Sequence, residues 1–122
     1  MLVLYNIMVN SSEKLDAVFA ALSDPTRRRI VERLAHGSLT IGEIASGFRI
    51  SQPAISRHVR VLEESGLLDR HVAGRVHHCT LAPSAMNGAA GWIDKQTAFW
   101  NGVLDRLGDV LNEPPARKKN TK

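Results

Sequence analysis

The chain has 122 residues, a formal net charge of +4 and a single cysteine. That length suits one domain, and one cysteine excludes an internal disulfide framework. The basic balance suits an anionic partner, and no apolar run is long enough to span a bilayer, so the expected location is the cytoplasm.

Met1–Val9 is apolar but lacks a basic leader and a convincing cleavage site. It reads as a flexible extension over residues 1–10, or as an upstream start ahead of Met8. Residues 11–113 form the expected domain, and residues 114–122 a basic, disordered tail carrying Arg117, Lys118, Lys119 and Lys122.

Leu15, Val18, Phe19 and Leu22 recur at helical spacing and define an apolar stripe on a first helix. Asp24-Pro25 then starts a second helix, with Asp24 as N-cap and Pro25 at the first helical position. Ile30, Val31 and Leu34 are its inward face, and His36-Gly37 ends it. Arg27, Arg28, Arg29 and Arg33 ring its other sides, available to phosphates or to solvent.

A third, short helix runs from Ile41 to about Phe48. Thr40 with Glu43 three residues later has the form of a capping box. After a tight turn at Arg49-Ile50, Ser51 caps a fourth helix with Pro53 in its first turn. Ile55, Val59 and Leu62 fall on one stripe, while Gln52, Ser56, Arg57 and Arg60 fall on a band roughly opposite. The apolar stripe must face a core, which leaves the polar band for a partner. Its residue types suit DNA: glutamine pairs with adenine, arginine with guanine, and serine with either. A short capped helix, a tight turn and such a helix together form a helix-turn-helix.

Leu67–Val72 and Arg75–Leu81 flank Ala73-Gly74 and read as a β-hairpin, basic near its tip through Arg70, His71 and Arg75. Directly after a recognition helix, this is a wing that reaches flanking phosphates or the minor groove. After Pro83 a long helix extends to about Asn112, stopped by Pro114-Pro115. Trp92, Ile93, Gln96, Phe99, Trp100, Val103, Leu107, Val110 and Leu111 keep three-and-four spacing along it. That face is too apolar for so small a body, so it is expected to pair with the first helix and with a second copy. A ligand pocket is the other reading of its aromatics.

Charge is unevenly placed. Asp24–Arg75 holds nine arginines and six acids, whereas Ser84–Glu113 holds two basic residues and four acids. The basic excess thus coincides with the helix-turn-helix and the hairpin.

Taken together, ALSDPTRRRI (Ala21–Ile30), ISQPAISRHVRVLEESGLL (Ile50–Leu68), Gly74-Arg75 and Leu81 resemble the ArsR family of small winged-helix repressors. The resemblance runs from about Leu15 to about Asn112. It implies a mainly α fold with a small β-hairpin wing, in the order four helices, two strands and a fifth helix, dimerised through the terminal helices. It also implies a homodimer on double-stranded operator DNA, usually repressing, relieved by an unidentified effector or a falling repressor level. Regulators of this size often control their own promoter.

On this reading Gln52, Ser56 and Arg57 meet bases, and Arg60, Arg70 and Arg75 hold phosphates or the minor-groove edge. Leu15, Val18, Phe19, Leu22, Trp92, Phe99, Trp100, Val103 and Leu107 form the dimer contact. Thiolate-sensing members of the family carry cysteines before the recognition helix, where this chain has Thr40, Gly42 and Ala45. On the last helix Asp94 has no histidine nearby. The chain therefore resembles the subgroup without metal ligands, and no cofactor is expected. Two alternatives stand beside this reading. One is a metal- or thiol-responsive repressor using His77 and Cys79, which share a strand face. The other is a winged-helix module that binds protein. No phosphate loop, metal-ligand spacing or nucleophile with a base supports an enzyme.

Overall fold

A computed structural model describes residues 2–112, with side chains described from Ser12 onward. The helices are α1 (Leu2–Ala21), α2 (Pro25–Leu34), α3 (Ile41–Ser46), α4 (Gln52–Glu64) and α5 (Pro83–Leu111). The strands are β1 (Leu39–Thr40), β2 (Leu68–Ala73) and β3 (Val76–Leu81). The helix order is the expected one. The basic tail lies outside the described residues.

Two expectations need correction. The backbone of Leu2–Asn10 is helical and continuous with α1, where a flexible extension was expected. No proline or glycine interrupts that stretch, so nothing local stops the helix from extending backward. The sheet also has three strands, in the order β1-β3-β2. β1 is too short for any alternation to be visible in sequence, and it exists because Leu39 and Thr40 pair with Cys79 and His78.

Side-chain chemistry fixes the helix starts. Asp24 Oδ2 accepts from the Arg27 amide at 3.0 Å, and Ser51 Oγ accepts from the Ala54 amide at 3.3 Å. Thr40 and Glu43 exchange both capping-box bonds: Thr40 Oγ1 accepts from the Glu43 amide at 3.1 Å, and Glu43 Oε1 from the Thr40 amide at 2.8 Å. These backbone donors hold the Asp24 and Glu43 carboxyls below their ordinary values.

Just past the end of α4 stands Gly66, whose φ of 86° is costly for any residue with a Cβ. The Leu67 amide donates to Leu62 O and the Gly66 amide to Glu63 O, the paired bonds of a Schellman motif. This reversal sends the chain straight into β2. The hairpin turn is Gly74-Arg75, one residue later than expected. Gly74 has φ 65° while Arg75 stays negative, the pattern of a type II′ turn with glycine at its first central position.

By its contacts the chain divides after Ala89. In the first unit the core gathers Ile30, Ile44, Ile55, Val59, Leu62, Leu67, Leu68 and Cys79, all fully buried or nearly so. α4 lies at its centre, packed against α1, α2, α3 and β2. Burying Ile55, Val59 and Leu62 contributes about 1.5–3 kcal/mol each, enough to fix which side of α4 faces outward. Val18 was expected on the dimer face; instead it is 3% exposed inside this core. Leu15, Phe19 and Leu22 are partly buried against the same core.

In the second unit, from Ala90 onward, no described residue is buried. Trp92, Phe99, Trp100, Leu104, Leu107 and Val110 are all exposed, Val110 by 64%. Val103 is half-buried. The Phe99 and Trp100 rings stand edge to face, 6.0 Å apart.

Candidate nucleic-acid interface

With its apolar side buried, α4 turns Gln52, Arg57 and Arg60 outward, and Ser56 is half-buried beside them. An open cleft of about 390 Å3 separates α4 from the wing. Gln52 and Ser56 line one wall, Arg70, Arg75 and His77 the other, and Thr40, Ile41 and Gly42 close the end. Four of the six residues expected to meet DNA thus share one concavity. Arg57 and Arg60 lie outside its lining, on the same exposed band of the helix. Arg57, Arg60 and Arg75 make no hydrogen bond or ion pair among the described residues, so their guanidinium groups are available to an external anion.

Arg70 departs from expectation. Its Nη2 lies 3.1 Å from Glu63 Oε1, and its Nη1 lies 3.2 Å from His77 Nδ1, which must accept. Its side chain is only 19% exposed, and its Nε is buried without an acceptor. Arg70 therefore ties β2 to α4 and β3, holding the wing against the recognition helix. Nothing in the local sequence marks Glu63 as its partner, because the pair forms only once the Gly66 reversal brings β2 back along α4.

The α2 arginines are also engaged within the chain, with Arg27 and Arg33 half-buried and Arg28 and Arg29 exposed. Arg27 donates through Nε to Ala21 O at 2.6 Å and through Nη2 to Ala20 O at 3.3 Å. Arg28 Nη1 donates to Leu22 O at 2.8 Å. Arg33 donates to Ile44 O at 2.7 Å and Glu43 O at 3.1 Å, so it caps the end of α3. Arg29 stacks over Phe48 at 5.0 Å from the ring centroid. These guanidinium groups add donors to carbonyls at helix ends, and Ala20, Glu43 and Ile44 accept from nearby donors as well. Arg27 Nη1 also lies 3.3 Å from His58 Nδ1, and Asp24 Oδ2 lies 3.9 Å from the same nitrogen, so three helices meet at one polar junction.

Thiolate ligands for a soft metal are missing at the positions before the recognition helix. Thr40 Oγ1 is engaged in its cap, Gly42 has no side chain and Ala45 has no donor. His77 and Cys79 do share a sheet face, together with their cross-strand partners Val72 and Arg70. Cys79 is fully buried, however, which pushes its thiol up, and His77 is engaged by Arg70. Among the described residues no three His, Cys, Asp or Glu side chains gather into a metal-holding group, and no helix is long and apolar enough to cross a membrane.

Comparison with known proteins decides the family. A model of a helix-turn-helix domain matches residues 22–71. The HTH-type transcriptional regulator Rv2034 of Mycobacterium tuberculosis is 39% identical over 97 residues, covering 80% of this chain and 88% of that protein. A crystal structure of an ArsR family transcriptional regulator is 34% identical with a TM-score of 0.69, covering 74% of this chain and 93% of the other. The chain belongs to the ArsR family. The transcriptional repressor SdpR of Bacillus subtilis is 35% identical over 79 residues, covering 65% of this chain and 88% of that protein. This ArsR-family chain is accordingly a DNA-binding transcriptional regulator with a winged helix-turn-helix fold. In helix-turn-helix proteins the second helix of the pair is the one that enters the major groove.

Proposed function

We propose that the protein is a homodimeric repressor that binds a partly palindromic operator, its own promoter included. The observation that carries this reading is the outward face of α4: three guanidinium groups there and on the wing, at Arg57, Arg60 and Arg75, have no partner within the described chain. Gln52, Ser56 and Arg57 read bases, while Arg60 and Arg75 contact phosphates or the minor-groove edge. Arg70 acts indirectly, by holding the wing in place.

The exposed apolar face of α5 supports the dimer, through Trp92, Phe99, Trp100 and Leu107 with half-buried Val103. Leu15, Phe19 and Leu22 of α1, partly buried against their own core, are assigned to dimerisation separately. Two-fold symmetry would set the two α4 helices about 34 Å apart, one turn of duplex. Bound operator blocks polymerase, and loss of binding relieves repression. The ArsR name comes without its thiolate ligands here, so release depends on some other effector or on falling protein level.

The test is footprinting on the DNA upstream of the protein's own reading frame, with sedimentation of the free protein. A symmetric protected site and a dimer are expected, with affinity falling steeply as salt rises because several phosphates are neutralised. A stable monomer, or no protection at low ionic strength, overturns the proposal. A flat salt response points instead to a protein partner.

A further inference from the structure

The outward face of the wing pairs two histidines. β2 and β3 run in unbroken antiparallel register from Leu68↔Leu81 to Ala73↔Val76, which places His71 directly opposite His78. Residues opposed in this way project from the same face with Cβ atoms about 4.5–5.5 Å apart, a span that two imidazoles can close around one ion. His71 is exposed and His78 half-buried. Neither ring makes a hydrogen bond or ion pair among the described residues, unlike His58 and His77, which are engaged by Arg27 and Arg70.

The surroundings favour a cation. Asp69 occupies the same face two residues from His71, opposite Thr80, and is exposed. Glu43 stands in the first turn of α3, three residues after Thr40, which pairs with His78 in the sheet. Arg33, which acts on the Glu43 carboxylate, has its guanidinium engaged on the Glu43 and Ile44 carbonyls.

We propose that His71 and His78 bind one borderline divalent transition cation, of the nickel, copper or zinc class, with water in the remaining positions. Imidazole suits these ions, and neutral rings are required. Two protein ligands make an open, exchangeable site rather than a structural one. The ion would staple β2 to β3 and add positive charge to the wing. The proposal does not depend on what the wing meets.

Titration calorimetry of the full chain with nickel chloride near neutral pH tests it. One ion per chain is expected. His71→Asn and His78→Asn should each weaken binding by about tenfold or more, since even supporting groups around a metal are worth that much. His36→Asn and Cys79→Ser should leave it unchanged. His71 is exposed, so its variant folds and decides the matter even if the His78 variant does not. Absence of saturable binding overturns the site. So does binding that survives His71→Asn, or several weak sites lost equally with His36→Asn, which would mark adventitious surface binding.

Discussion

The arginines of α2 and those of α4 with the wing tip look alike in sequence and serve opposite ends. On α2, Arg27, Arg28 and Arg33 spend their donors on the carbonyls of Ala20, Ala21, Leu22, Glu43 and Ile44. On α4 and the wing tip, Arg57, Arg60 and Arg75 spend none within the described chain. A count of basic residues assigns both groups to DNA. Geometry assigns the first group to assembly of the helix-turn-helix and leaves the second without a partner among the described residues.

That contrast can be broken by substitution. Arg57→Ala should cost about 1–3 kcal/mol on operator DNA and relax sequence preference, with thermal unfolding unchanged. Anisotropy titrations on operator and random duplex separate the outcomes: equal loss on both would move Arg57 to the phosphates. Arg33→Ala should do the reverse. It removes two donors from the end of α3 and should lower unfolding free energy by about 1–2 kcal/mol in denaturant titration. Its DNA affinity should fall only as far as the folded fraction does. If Arg33→Ala kept full stability and lost binding, the division between the two groups would fail.

A smaller effect belongs to the cap of α2. Asp24→Asn keeps a capping oxygen but removes the charge at the helix N-terminus, and should cost about 0.3–1 kcal/mol at neutral pH. The Arg27 amide holds the Asp24 carboxyl below its ordinary value, so its contribution is present above the unfolded carboxylate pKa and fades as pH falls through the folded one. The gap between wild type and Asp24→Asn should therefore narrow in acid; a gap that widened would reverse the sign argued here. The smallest expected effect is at Cys79. Burial pushes its thiol up, so a thiol reagent should label it only on unfolding. Rapid labelling of the native protein would place Cys79 outside the core.

Much of this was legible because it is local. The caps at Asp24, Thr40 and Ser51 are set within three residues, and the stripe Ile55, Val59 and Leu62 by one period. The band carrying Gln52, Arg57 and Arg60 follows as its complement. What was not legible depends on distant pairing. β1 exists only against β3, and Arg70 turns inward only because Glu63 and His77 converge on it. Val18 belongs to an apolar stripe that cannot say, from spacing alone, whether it serves the chain's own interior or a second copy. The match of His71 with His78 needed the hairpin register, which the turn at Gly74-Arg75 sets.

Thr40 serves two neighbours at once. It pairs with His78 in the sheet and caps α3 through its hydroxyl. The wing is therefore hinged on the very residue from which the helix-turn-helix begins, and any tilt of the hairpin levers that first turn with it.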